Sequence, residues 1–168
     1  MIITNRATDE DFAPMIRKRF CRTNTVPDFR CDASHLGQTT PLCLSEVFQH
    51  YKSVVLFFYD TDLTPHHHRD IEQVREHYQD FMDKSALPMM VSINGLVPHQ
   101  DNPPNFPLLG DSDRSLARHF HEGEACRSVF VIDNHHKVKY SFMPLDLEHP
   151  YSVPVILSIA GGIMNQGQ

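Results

Sequence analysis

The sequence predicts an α/β fold in which helices cover both faces of one mixed β-sheet. The run SVVLFFYD at residues 53–60 is apolar, β-branched and aromatic, as in a central strand that is buried on both faces. A helical pattern follows over residues 66–85, and a second buried strand, PMMVSIN, occupies residues 88–94. A strand, a helix and a strand in this order predict a right-handed parallel crossover.

Two hairpins flank this central unit. Residues 26–48 alternate as a strand, a turn around residues 35–37 and a second strand, after which Ser45 is predicted to cap a helical turn. Later in the chain, RSVFVID at residues 127–133 and KVKYSFM at residues 137–143 flank the turn NHH, which predicts an antiparallel hairpin.

The remaining segments predict helices and one ordered loop. Ser112 is predicted to cap a short helix, residues 153–162 form a closing helix, and four prolines between residues 95 and 107 predict a loop. Residues 1–23 are expected to form an N-terminal helical extension to a domain over residues 24–168. The resulting order of elements is the thioredoxin-like layout, a mixed sheet sandwiched by helices.

Composition excludes several classes of function. The chain has 168 residues and a net charge of −6 without a long basic cluster, which argues against nucleic acid as the main partner. No apolar run approaches the length of a membrane span and the N-terminus lacks a signal-peptide stretch, so we expect a cytoplasmic protein. The four cysteines include no C-x-x-C pair, and no cofactor is predicted; they are Cys21, Cys31, Cys43 and Cys126.

Four segments in order resemble the peroxiredoxin family, the alkyl hydroperoxide reductase/thiol-specific antioxidant branch of the thioredoxin-like proteins. They are TVPDF at 25–29, VVLFFYDTDLTP at 54–65, NFPLLGD at 105–111 and RSVFVID at 127–133. The resemblance covers roughly residues 24–160. It implies a peroxiredoxin-type fold, homodimers and an antioxidant oxidoreductase that reduces peroxides.

The sequence departs from the family at the position of the nucleophile. The family's active-site loop reads P-x-x-x-T-x-x-C; here Thr64 matches the threonine, Asp60 replaces the proline and His67 replaces the cysteine. The resemblance implies that Thr64 and Arg127 face position 67. Because the family's reaction needs a thiolate that becomes a sulfenic acid, imidazole is not a conservative replacement.

Three functions follow from this departure. In the first, the protein has lost the thiol peroxidase reaction and keeps a polar pocket of Thr64, His67 and Arg127 for a small polar or anionic ligand, or for a regulatory role. The second is an antioxidant oxidoreductase that uses another cysteine, Cys126 or Cys21.

The third function is histidine-based metal binding. His66 lies four residues before Asp70, and His66 with His68 is a further pair if the chain is extended at 66. The structural alternatives are that His67 is tolerated on an exposed first turn and that Thr64 caps the helix.

Overall fold

The computed structural model describes residues 24–59, 65–93, 95, 102–120, 127–142 and 151–165. The predicted extension over residues 1–23 and residues 96–101 of the proline-rich segment lie outside this part of the chain. The elements, in chain order, are β1 (Arg30–His35), β2 (Gln38–Cys43), α1 (Leu44–Val47), β3 (Ser53–Tyr59), α2 (Pro65–Glu76), α3 (Tyr78–Asp83), β4 (Ala86–Ser92), β5 (Leu108–Gly110), α4 (Ser115–Phe120), β6 (Arg127–Asp133), β7 (Val138–Phe142) and α5 (Val153–Asn165).

The described strands form one seven-stranded mixed sheet in the order β2-β1-β5-β4-β3-β6-β7. Strand β3 pairs in parallel with β4, which confirms the predicted crossover. Strands β1 with β2 and β6 with β7 pair antiparallel, which confirms both predicted hairpins. Strand β5 was not predicted; it is only three residues long and pairs with both β1 and β4.

Helices pack on both faces of the sheet, as the sequence predicts. All seven residues of β3 are buried, and the side chains from Val54 to Tyr59 alternate between two apolar clusters. Leu56 and Phe58 face the cluster that contains Leu44 of α1 and Phe120 of α4. The opposite face, with Phe57, packs against residues of α2, α3 and α5. No helix among the described residues is long and apolar enough to cross a membrane.

The helix predicted over residues 66–85 is divided into α2 and α3. His77 lies between them with φ −97° and ψ 9°, outside the α-helical region. Its imidazole Nδ1 lies 3.0 Å from a carboxylate oxygen of Asp80, an interaction within the next turn. The apolar face nevertheless continues, because Val74 of α2 and Phe81 of α3 are both buried in the same cluster.

Aspartates rather than serines stabilise the starts of two short helices. The amide of Ser45 donates to Asp28 at 2.8 Å, and Cys43, not Ser45, precedes the first residue of α1. The carboxylate of Asp111 accepts the amides of two residues in the first turn of α4, Leu116 at 3.0 Å and Ala117 at 2.8 Å. The predicted caps at Ser45 and Ser112 were therefore wrong, because carboxylates reached these amides instead.

Candidate functional site

The candidate site lies where β3 ends and β6 begins. Tyr59, the last residue of β3, is the register partner of Arg127, the first residue of β6, so both side chains point to the same face of the sheet. Helix α2 begins at Pro65 on this face, and His67 is its third residue. The thioredoxin-like fold thus places His67 and Arg127 at the same end of two interior strands of the sheet.

His67 is buried against the sheet. Its side chain is only 3% exposed, and its ring stacks on the ring of Tyr59 with centroids 4.0 Å apart and planes inclined by 29°. The interpretation of His67 as a residue on an exposed first turn is therefore wrong. Stacking and burial hold the imidazole at the boundary between α2 and the sheet.

Arg127 is paired with Asp70 in a buried bidentate ion pair. The guanidinium Nε and Nη2 each donate to a carboxylate oxygen at 2.7 Å, and the two residues are 6% and 5% exposed. An arginine in apolar surroundings requires such a partner, because an unpaired buried charge is costly. Asp70 comes from α2, so this pair also joins the helix to the start of β6.

Tyr151 covers the other side of the guanidinium. The Cζ atom of Arg127 lies 4.0 Å from the centroid of the tyrosine ring, which also makes edge contacts with Phe57 and Phe142. The side chain is 4% exposed, and its hydroxyl has no hydrogen-bond partner among the described residues. Burial raises the pKa of Tyr151 well above its ordinary value of 10.0, although Arg127 opposes the shift.

Two members of this cluster were not assigned to it from the sequence. The sequence suggested Asp70 only as a weak candidate for a metal ligand, although it lies three residues after His67 and so near the same face of the helix. Tyr151 had no local signal, because it reaches Arg127 only through the packing of α5 and the segment before it. Thr64, the third predicted pocket residue, lies outside the described residues.

The suggested metal ligands His68 and Asp70 differ in exposure and in the contacts that they make. His68 is exposed, whereas Asp70 is buried with both carboxylate oxygens engaged by Arg127. The side chain of His66 lies outside the described part of the structure. Among the residues that the structure describes, no group of three histidine, cysteine or acidic side chains is arranged to hold a metal ion.

The two described cysteines lie away from His67. Cys31 is on β1, which β5 and β4 separate from β3, and it packs with the opposite apolar cluster. Burial raises the pKa of its thiol to about 12, and the charges of Asp111 and Asp32 add to the shift. Cys43 is buried, with its sulfur 3.2 Å from the Ser45 hydroxyl. The predicted candidates Cys21 and Cys126 lie outside the described residues.

The mixed sheet, the helices on its two faces and the position of His67 in the first turn of α2 define a thioredoxin-like protein of peroxiredoxin type. Residues 23–141 match the model of the AhpC/TSA family, and the chain therefore belongs to that family. This confirms the resemblance found in the sequence.

Known relatives agree with this assignment. Peroxiredoxin-2 of Mus musculus is 30% identical over 125 residues, which cover 65% of this chain and 62% of the relative, less than two thirds of its length. The mitochondrial 2-Cys peroxiredoxin of Plasmodium falciparum superposes with a TM-score of 0.70 at 18% identity, covering 85% of this chain and 94% of that one. The reduced 2-Cys peroxiredoxin of Plasmodium vivax superposes with a TM-score of 0.72 at 19% sequence identity, covering 84% of this chain and 81% of that one. These structures show the shared fold.

Proposed function

We propose that this AhpC/TSA-family protein has lost the thiol peroxidase reaction and acts as a binding or regulatory protein through the pocket of Thr64, His67 and Arg127. The observation that carries the proposal is the buried imidazole of His67, stacked on Tyr59 in the first turn of α2. The loop motif aligns this position with the family's nucleophilic cysteine.

The chemistry at position 67 supports the loss of activity. A thiol peroxidase needs a thiolate that attacks one peroxide oxygen, releases water or an alcohol and becomes a sulfenic acid. A thiol then reduces the sulfenic acid. Imidazole has no sulfur with which to begin this cycle, so His67 does not replace the cysteine in it.

The described cysteines offer no substitute nucleophile. With its pKa raised to about 12, Cys31 is almost entirely protonated at neutral pH. Cys43 is buried at the end of β2, the edge strand, and three strands separate β2 from β3 and the site at its end. Catalysis by another cysteine would therefore depend on Cys126 or Cys21.

Peroxide consumption in the presence of dithiothreitol tests the proposal. The parent protein should consume hydrogen peroxide no faster than buffer with the reductant alone. Turnover that disappears in Cys126→Ser or Cys21→Ser would instead establish an oxidoreductase that uses that cysteine, and the proposal would be wrong.

Histidine-based metal binding is tested separately. Metal analysis of tag-free protein is compared with the His66→Ala variant; stoichiometric metal in the parent alone would establish a site in the histidine run. The homodimer and the cytoplasmic location stay predictions, the first from the resemblance and the second from the sequence.

A further inference from the structure

We propose that a cleft between β1 and the end of β5 binds a small organic cation, an ammonium or guanidinium group on a short alkyl chain. The cleft has a volume of about 360 Å³, and every residue that lines it belongs to the described part of the chain. Clefts that hold small molecules have volumes from about 300 Å³ upwards. Strands β5 and β4 separate β1 from β3 and the site at His67, so this inference does not depend on the proposed function.

The cleft exists because β1 and β5 separate after two residue pairs. Their register ends at Ala33 with Leu109, and the next pair, Asp32 with Gly110, is not formed. The end of β5 stays paired with β4, whereas the start of β1 stays paired with β2. The two segments therefore diverge within the sheet, and the gap between them opens beside the first turn of α4.

The charges around the cleft favour a cation. Asp32 of β1 and two aspartates between β5 and α4, Asp111 and Asp113, line it, and Arg30 is the one basic residue in the lining. Asp113 is exposed and is also acted on by the charge of Arg118, which lies outside the lining. A cation in the cleft would therefore be bound chiefly by Asp32 and Asp111.

The thiol of Cys31 shows that these two carboxylates act on the interior of the cleft. Cys31 is half-buried and belongs to the lining. Burial raises its pKa to about 12, and the negative charges of Asp111 and Asp32 add to the shift. Burial also raises the pKa of Asp111, and the charge of Asp113 acts in the same direction. The cleft thus disfavours further negative charge, and a bound cation would offset this repulsion.

The lining fits an organic cation better than a metal ion. A metal ion requires several ligands that converge on one point, and the described residues include no group of three histidine, cysteine or acidic side chains arranged in this way. Three apolar residues, Phe29, Pro41 and Leu116, also line the cleft. A short alkyl chain would lose contact with water against them while its charged group lies near the carboxylates.

The test is a titration of the full-length protein with butylammonium, followed by NMR of the backbone amides. The signals of Cys31, Asp111 and Leu116 should shift and saturate together. 1-Butanol has the same chain and nearly the same shape without the charge, so it should bind at least about fivefold more weakly. Magnesium chloride should give no saturable shift of these signals.

Asp32→Asn removes one carboxylate from the cleft. Because Asp32 is exposed on β1, the variant should fold, with a melting temperature within about 3 °C of the parent. It should weaken butylammonium binding about two- to tenfold and leave 1-butanol binding unchanged. Asp83→Asn is the matched control, because it makes the same change of charge at an exposed residue of α3, which packs on the opposite face of the sheet from Leu116. It should leave the binding of both compounds unchanged.

Four results would each overturn the inference. They are the absence of saturable butylammonium shifts at these signals, 1-butanol binding as tight as butylammonium, saturable magnesium binding at the same signals, and equal butylammonium affinity in Asp32→Asn and Asp83→Asn. The comparison of the three compounds uses the parent protein alone, so it tests the inference whether or not Asp32→Asn folds. Peroxide consumption does not enter any of these measurements, so this inference and the proposed function fail separately.

Discussion

The imidazole of His67 lies against the phenol ring of Tyr59, with ring centroids 4.0 Å apart. Tyr59 is fixed in the sheet by pairing with β4 and β6, and His67 is fixed by the first turn of α2. Position 67 is therefore buried and oriented towards the sheet. A different side chain at this position would meet the same surroundings.

The variant His67→Cys should gain reactivity towards peroxide. A thiol in the first turn of a helix of this length is stabilised as a thiolate by the helix dipole, and each unit of lowered pKa increases the thiolate fraction about tenfold. The new cysteine should form a sulfenic acid with hydrogen peroxide, measured by dimedone labelling and mass spectrometry. The parent protein should show no adduct at position 67.

His68→Cys is the matched control for this gain. His68 is exposed and lies one residue further along the same helix, so its side chain points about 100° away from that of His67. Labelling at 67 should exceed labelling at 68 despite the lower exposure. Equal rates at the two positions would show that the surroundings of position 67 do not activate a thiol.

The Asp70–Arg127 pair should be a major contribution to stability. Asp70→Ala leaves a buried guanidinium without its carboxylate, and breaking a buried ion pair in this way costs about 3–5 kcal/mol. Urea unfolding of the parent and the variant measures this difference. The combined Asp70→Leu and Arg127→Met variant should lose less free energy of unfolding than Asp70→Ala alone, because no charge is left buried.

The partly exposed pair Glu72–Arg75, 3.3 Å apart on the same helix, provides the comparison. Glu72→Ala should cost no more than about 0.5 kcal/mol, because solvent screens the pair. If Asp70→Ala cost as little as Glu72→Ala, the bidentate pair would contribute nothing that an exposed pair does not.

The sheet could be predicted from the sequence because its central strands are marked locally. Strand β3 is a continuous apolar run, and the turn after His35 separates two extended segments of equal length. Strand β5 has no comparable signal; its three residues are held by pairing with β1 and β4, which only the folded chain brings together.

The site could be predicted only in part, for the same physical reason. His67 and Arg127 follow from the order of the elements and the loop motif. The residue that packs on Arg127 could not be predicted, because Tyr151 contacts it only through tertiary packing. The start of α4 is a similar case: Asp111, rather than the predicted Ser112, accepts the backbone amides there, and the spacing of residues in the sequence does not distinguish the two.

The thiol of Cys31 should be nearly inert. Its pKa is raised to about 12, mainly by burial, so at pH 8 its thiolate fraction is roughly a thousandfold below that of an ordinary cysteine. Alkylation with iodoacetamide, mapped by mass spectrometry, should be slower by about this factor than in the same protein unfolded in guanidinium. Rapid labelling of Cys31 in the folded protein would contradict this prediction and would make Cys31 a candidate nucleophile.

The carboxyl of Asp111 should make the protein less stable as the pH rises above about 4. Burial raises its pKa above the ordinary value of 3.8, although the amides of Ala117 and Leu116 oppose the shift. The folded state therefore holds this proton more tightly than the unfolded state. Its contribution is fully present below pH 3.8 and is lost as the pH rises through the raised pKa. Unfolding of the parent and Asp111→Asn between pH 3.5 and about 6.5 measures the difference.

Asp28 provides the opposite case in the same experiment. Hydrogen bonds from the side chain and the backbone amide of Ser45 lower its pKa below 3.8. Its contribution is therefore present above pH 3.8 and is lost as the pH falls through the lowered pKa. The difference between parent and Asp28→Asn should increase with pH, whereas the difference for Asp111→Asn should decrease. Slopes of the same sign would show that burial does not dominate the environment of Asp111.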